Sequence, residues 1–339
     1  MGLTKGDAAK QVEKKMFDID KEVRSAEKRI RPFIRKTPLE YSFYLSKVAG
    51  CRVFLKLENL QHTGSFKARG AISKITALDR QERKSGVITA STGNHALAVA
   101  YGLRRLGIEG CIFLPENASP RKIKMLRNYN VDLQFYGRDC GDTESYARDN
   151  ANKQGRVYIS PYNDRRVIGG QGTIAVELMQ QISDVDCVMA SVGGGGLISG
   201  IAGYLKEKKG GIEIIGCLPQ NSPAMYDSVN AGYRVSSQIL PTLSDGTAGG
   251  IEEGAITLDP CRHYVDDWVL VDEVEIQESM KIIFEQHRYV IEGAAGVVVA
   301  AFLKIREKLK GKKVALIICG GNIDTGKFDG LVKSSTPAL

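Results

Sequence analysis

Lys67 stands in the stretch His62-Thr63-Gly64-Ser65-Phe66-Lys67-Ala68-Arg69-Gly70. A lysine amine condenses reversibly with an aldehyde, and a depressed pKa lets it act as a base. More than a hundred residues later, Gly193-Gly194-Gly195-Gly196 follows an apolar run and precedes a helical pattern. Consecutive glycines let backbone N–H groups converge on one point, and a helix start adds partial positive charge, so a phosphate is the natural guest. A plain turn does not require the backbone entropy that four glycines cost. The two features together suit a phosphorylated small molecule whose carbonyl meets a lysine.

Other glycine patterns fail on inspection. The dinucleotide spacing Gly-x-Gly-x-x-Gly, counted from Gly193 and Gly195, lands on Ile198. Gly170, Gly172 and Ala175 match Gly-x-Gly-x-x-Ala but follow Arg165-Arg166-Val167-Ile168 rather than a buried strand. Gly321 to Lys327 matches a P-loop until Phe328 stands where Ser or Thr should hold magnesium.

The elements around these residues alternate. Val53, Leu55 and Leu57 alternate with polar neighbours, as on a half-buried strand, and Ala68 to Leu78 reads as a helix, so Lys67 lies at a strand-to-helix turn. Ile19 to Ile34 reads as a charged amphipathic helix. From Gly86 the pattern is βαβα: strand 87–90, turn 91–95, and helix 96–106 ending at Gly107. Strand 111–114 follows, then a helix capped by Ser119-Pro120, strand 131–135 and helix 143–154. A second series follows. Gln171 leads a helix to Ile182, and buried strand 187–192 precedes the glycines and helix 197–207. Strand 212–217 and a capping box at Asp272 come next, then helix 293–309 and buried strand 314–318. The rhythm indicates parallel sheets with crossover helices.

Composition narrows the class. The 339 residues are 43% hydrophobic and 25% charged, with no run long enough to span a membrane and no signal or myristoylation pattern at the start. The net charge of +8 is spread among acids, as in residues 22–29, which argues for solvated helix faces over nucleic-acid binding. Seven scattered cysteines without a Cys-x-x-Cys point to reduced thiols and the cytoplasm, and neither they nor the four histidines form a metal pattern.

Ser65 to Gly70, Ser91-Thr92-Gly93-Asn94-His95, Val192 to Leu197, Asp245-Gly246, Ile291 to Gly296 and Cys319-Gly320-Gly321-Asn322 resemble, in order and spacing, the fold-type II pyridoxal-phosphate enzymes. The group they are most similar to is the serine/threonine dehydratase and serine racemase family. The resemblance runs from about Arg31 to Asn322. It implies an α/β fold of two lobes, tryptophan synthase β-like, with a small lobe of residues 85–160 inserted in a large cofactor-binding lobe of residues 1–84 and 161–339. It implies pyridoxal 5'-phosphate as cofactor and a homodimer or higher homo-oligomer. Lys67 would carry the cofactor covalently beside Phe66, and Asn94 would bond the ring hydroxyl. Gly193, Gly194, Gly195, Gly196 and Leu197 would grip the phosphate, with Cys319 at the pyridine nitrogen and Glu292 near it. Ser91, Thr92, Gly93, Asn94 and His95 would receive the substrate carboxylate, with Tyr162, Gly246 and the rest of the 245–249 segment as pocket walls.

A thiol at the pyridine nitrogen leaves it largely unprotonated, which favours prompt loss of a β-leaving group over reactions of a lingering carbanion. The expected activity is therefore elimination from an L-β-hydroxy amino acid, L-threonine or L-serine, giving a 2-keto acid and ammonia, with Lys67 as base. Alternatives are an amino-acid racemase, a lyase for a less common hydroxy or diamino acid, and a cofactor-binding protein without turnover. Thr92 departs from the family's Ala or Ser, and its hydroxyl bears on racemisation. Leu218-Pro219 and Pro223-Ala224 lack the acids that hold a divalent cation in some relatives, so no metal is expected there. No chain remains after Leu339 for a regulatory domain, so isoleucine feedback is not expected. Thr143-Glu144-Ser145 replaces an arginine used on acidic substrates, which disfavours 3-hydroxyaspartate.

Overall fold

Asp18 accepts a hydrogen bond from the Lys21 backbone N–H at 2.8 Å and so starts α1 (Ile19–Ile30). Its buried Ile19, Val23, Ala26 and Ile30 lie on one face, and Pro32 in the following 3-10 turn ends it. The computed structural model describes residues 16–333; the polar start, expected to be loosely held, lies outside the described residues.

Further elements follow in chain order. They are β1 (Leu39–Tyr41), α2 (Phe43–Ala49), β2 (Arg52–Leu57), α3 (Lys67–Thr76), α4 (Arg80–Ser85), β3 (Val87–Ala90), α5 (Asn94–Leu106) and β4 (Gly110–Leu114). Next come α6 (Pro120–Arg127), β5 (Asp132–Phe135), α7 (Cys140–Lys153), β6 (Val157–Tyr158), α8 (Arg165–Gln181), β7 (Cys187–Ser191), α9 (Gly196–Lys208) and β8 (Glu213–Pro219). The chain continues through α10 (Ala224–Ala231), α11 (Leu258–Tyr264), β9 (Asp267–Val271), α12 (Glu273–His287), α13 (Gly293–Ile305), β10 (Lys313–Ile318) and α14 (Thr325–Lys333).

Two sheets result. The larger has the order β1-β2-β10-β7-β8-β9, parallel except for β1. The smaller has the order β5-β4-β3-β6 and is parallel throughout. Crossover helices cover both faces of a parallel sheet, so its inner strands are buried on both faces while edge strand β5 stays largely exposed. This corrects the half-buried reading of the Val53 strand. β2 pairs with β10, and Lys56 is fully buried, its ammonium donating to the Thr37 carbonyl oxygen (2.8 Å), Glu177 Oε2 (2.6 Å) and Gln181 Oε1 (2.9 Å).

The helix containing Gly170 and Gly172 starts earlier than its sequence suggests, at the Asp164 cap. Its glycines serve close packing. A Cβ at Gly170 would lie 2.5 Å from the Arg69 carbonyl oxygen, and one at Gly172 would lie 2.6 Å from that of Gly200. The dinucleotide pattern there is helix-packing geometry. The P-loop-like run likewise ends in α14, where Lys327, the lysine of that pattern, faces Asp245 at 3.3 Å. Helix α3 adds Ala71 and Ile75, and the turn after it adds Leu78, to the core of the smaller sheet, alongside Val87, Val99 and Leu103.

Candidate active site

The β10 exit and the segment before α3 are laced together. Phe66 N–H donates to the Cys319 carbonyl oxygen (3.0 Å), and Gly321 N–H donates to that of Gly64 (2.9 Å), around a bridge between Ser65 and Gly320. Gly64 has φ +72°, a conformation that glycine adopts without strain. Lys67 is thereby the first residue of α3. Its Nζ donates to the Pro161 carbonyl oxygen at 2.9 Å and lies 5.2 Å from the centre of the Phe66 ring. Desolvation lowers its pKa to about 8, against the opposing pull of Cys319 and Glu292. An amine so placed is available as nucleophile and base near neutrality.

Glu292 is buried where α13 starts. Asn94 Nδ2 donates to both its oxygens (2.8 and 2.9 Å), and Asn322 N–H donates to Oε2 (3.2 Å). Burial nevertheless raises its pKa to about 7. Gly320 and Gly246 make room for it, since a Cβ at either would meet Glu292 Oε1 at 2.6 or 3.4 Å. Asn322 Nδ2 also donates to Asn94 Oδ1 and to the Thr63 carbonyl oxygen, both at 2.7 Å. Cys319 is buried, its thiol pKa pushed up by desolvation, and its Sγ accepts from Ser191 Oγ at 3.4 Å. It is a neutral thiol.

The glycine run leaves β7 and opens α9, with Gly195 at φ +82° as the N-cap. Its walls explain the residue type. A Cβ on Gly194 would lie 2.5 Å from the Tyr162 ring, one on Gly193 2.9 Å from Thr247 Cα, and one on Gly196 3.0 Å from Tyr162 Cα. Thr257 Oγ1 donates to the Gly194 carbonyl oxygen at 2.7 Å. Leu197 is buried behind the loop. No side chain caps the first turn of α9, so its N–H groups are left for an anion, as a phosphate site requires.

The turn at 91–93 leads into α5, which starts at Asn94, two residues earlier than the sequence pattern suggests. Ser91 Oγ accepts from Gly93 N–H at 3.2 Å, and Ser91, Thr92 and Gly93 are half-exposed at the helix N-terminus. A carboxylate is suited to that position. The His95 side chain is not available to it. The imidazole is buried, 3.0 Å from the Ile159 carbonyl oxygen, and desolvation lowers its pKa to about 3, so it offers no positive charge. Tyr162 OH accepts from Glu252 N–H at 2.8 Å, which ties the irregular segment before α11 to the cleft.

The donor set fits pyridoxal phosphate: an amine for the aldehyde, converging N–H groups for the phosphate, and Asn94, Cys319 and Glu292 around the space beyond Lys67. Ser65 Oγ and Thr63 Oγ1, beside the lysine, are buried without a hydrogen-bond partner. Among the described residues no cluster of three or more His, Cys, Asp or Glu side chains is disposed to hold a metal. Asn322 stands in the sequence motif without an expected role, Thr247 is expected only as part of the 245–249 wall, and Ser191 and Thr257 carry no expectation. Ser191 is the one of these with a local signal, a hydroxyl at the end of an apolar strand.

Comparison with known proteins agrees with this chemistry. Residues 30–320 match the family model described as pyridoxal-phosphate dependent enzyme. The chain is 41% identical to an L-threonine ammonia-lyase of Thermotoga maritima, over 92% of this chain and 79% of the relative. It is 38% identical to a catabolic L-threonine dehydratase of Staphylococcus aureus, over 92% of this chain and 91% of the relative. Among solved structures, maize serine racemase superposes with TM-score 0.87 at 31% identity, over 92% and 95% of the two chains. A processed threonine deaminase from Solanum lycopersicum superposes with TM-score 0.88 at 32% identity, over 93% and 86%. The two-sheet architecture is that of the fold-type II enzymes, and the chain belongs to the pyridoxal-phosphate dependent enzyme family.

Proposed function

We propose that this protein is an ammonia-lyase that converts an L-β-hydroxy amino acid, L-threonine or L-serine, to a 2-keto acid and ammonia. The observation that carries the reading is the buried Lys67 amine at the start of α3, its pKa lowered by desolvation and its Nζ on the Pro161 carbonyl oxygen, next to Tyr162 against the glycine loop. When bound, pyridoxal phosphate draws electrons from the Cα–H bond of the substrate. Lys67 removes that proton. The backbone N–H groups of Gly193 to Leu197 would hold the phosphate, and Phe66 and Asn94 would fix the ring. The neutral Cys319 thiol would leave the ring nitrogen without a proton, which favours loss of the β-hydroxyl over transamination. The Ser91 to His95 segment would hold the substrate carboxylate through hydroxyls and backbone N–H groups, and Tyr162 and Gly246 would wall the pocket. The smaller sheet marks a small lobe of residues 85–160, inserted in a large lobe of residues 1–84 and 161–339.

A second reading, an amino-acid racemase, is favoured by the half-exposed Thr92 hydroxyl and by the likeness to serine racemases. The free state of all seven cysteines supports a cytoplasmic setting, and the exposed aromatic pair of Tyr41 and Phe43, rings 4.9 Å apart on and beside edge strand β1, supports a homo-oligomer. The test is a panel of L- and D-β-hydroxy amino acids, with keto acid and enantiomer content measured together. Keto acid from L-threonine or L-serine supports the lyase, its absence from every member refutes it, and faster enantiomer exchange selects the racemase.

A further inference from the structure

Lys67 and Arg69 are two residues apart on α3, which turns them about 200° from one another around the helix. Lys67 reaches the cleft, and Arg69 points the other way into the protein, fully buried. Its guanidinium makes two forks. Nε and Nη2 donate to Glu58 (2.7 and 2.8 Å), and Nη1 and Nη2 donate to Glu177 (2.8 and 2.9 Å). Nη1 also donates to Thr173 Oγ1 at 3.1 Å. Glu58 follows β2 and also accepts from Thr37 Oγ1 at 2.6 Å; Glu177 lies in α8 and also takes Lys56 (2.6 Å) and Arg31 (2.7 Å). Arg31 is in turn paired with Glu27, so three cations face three carboxylates.

We propose that Arg69 is the positioning residue for Lys67, aiming its amine through a buried two-carboxylate anchor on the opposite face of α3. The helix has no side-chain N-cap, since Phe66 occupies that position. Its start is held instead on two sides. In front are the bonds of Gly64 and Phe66 to the Cys319–Gly321 turn; behind are the Arg69 forks to the end of β2 and to α8. A buried ion cluster is a poor way to gain stability, because apolar residues of the same volume serve as well or better. Its distinctive property is direction: a planar fork fixes distance and angle at once, which a lysine ammonium cannot do.

The inference rests on the reading that Lys67 carries the cofactor, and the experiment separates the two. Arg69→Lys keeps the charge and removes the forks; Leu205→Ala, in the core at the far end of α9, supplies a matched loss of stability. Each is loaded with pyridoxal phosphate. The readouts are melting temperature, visible circular dichroism per mole of bound cofactor, and kcat and KM on L-threonine. For Arg69→Lys the induced dichroism falls to about half or less, and kcat falls about tenfold or more with KM nearly unchanged, as misaimed groups behave. Leu205→Ala lowers the melting temperature and leaves dichroism and kcat as in the parent. If Arg69→Lys is insoluble, Thr173→Val removes one guanidinium bond and shows a smaller change in the same direction. Parent-like dichroism and kcat in Arg69→Lys, or in Thr173→Val when it stands alone, overturn the proposal, as does the same loss in Leu205→Ala. A parent protein that shows no visible band with pyridoxal phosphate overturns the cofactor reading itself.

Discussion

Asn94 Nδ2 lies 2.8 and 2.9 Å from the two carboxylate oxygens of Glu292, joining the first residue of α5 to the start of α13 across the cleft. Asn322 closes the triangle with its own bonds to both residues. Helix α5 packs on the smaller sheet and α13 on the larger, so three side chains link the two sheets at the floor of the site. The carboxylate accepts three hydrogen bonds and still has a pKa of about 7, because burial outweighs them.

That pKa sets a pH dependence for the cofactor-free protein. Glu292 holds its proton more tightly folded than unfolded, so its contribution to stability is complete below about pH 4.5 and is lost as pH rises through about 7. Lys67 works the other way: its folded pKa of about 8 is below its unfolded value, so stability is regained as pH climbs from about 8 toward 10.5. Each shift is worth at most about 3 kcal/mol. Melting temperatures of the cofactor-free protein should fall between pH 5 and 7, and this slope should flatten in Glu292→Gln. An equal slope in the variant would contradict the assignment.

Gly194→Ala places a methyl group where the Tyr162 ring stands, 2.5 Å from the new carbon. Tyr162 or the loop must shift, and an overpacked contact of this kind costs about 1–3 kcal/mol. The expected outcome is a folded protein whose pyridoxal-phosphate affinity drops about tenfold or more, read by absorbance titration. Unchanged affinity would remove the loop from the phosphate site.

Thr92 stands at the entrance to α5, and its hydroxyl has no assigned step in elimination. Thr92→Ala should keep keto-acid formation within about fivefold of the parent, the scale of one hydrogen bond to a bound substrate. Enantiomer analysis of the residual substrate checks the second reading, since exchange present in the parent and lost in the variant would make Thr92 a proton carrier.

The parts of this site that local sequence encodes are legible. Four glycines after an apolar strand, a lysine between strand and helix, and the capping box at Asp272, which forms with both bonds in place, need only neighbours in sequence. Non-local facts are not. Lys56 looks like the outward residue of an alternating strand, yet Glu177, 121 positions away, holds it in the interior. The same carboxylate takes Arg69, and no window around either residue signals the pair. His95 sits in the motif turn, but the direction of its imidazole is non-local, since strand β3 brings the Ile159 carbonyl to it. Elements β1, α2, α4, β6, α10, α11, β9 and α14 escape the sequence reading; β1 and β6 have three and two residues, and α2, α4 and α11 have seven, six and seven, too short to establish a period.

The central claim is that Lys67 is both the covalent anchor of pyridoxal phosphate and the base of the reaction. The most direct measurement uses purified Lys67→Ala mixed with pyridoxal phosphate, followed by its visible spectrum and by keto-acid release from L-threonine and L-serine. The account predicts the spectrum of the free cofactor and a loss of turnover of about a thousandfold or more, as removal of a nucleophile and base together entails. A shifted band like that of the parent, or keto acid at a rate near the parent's, would contradict it.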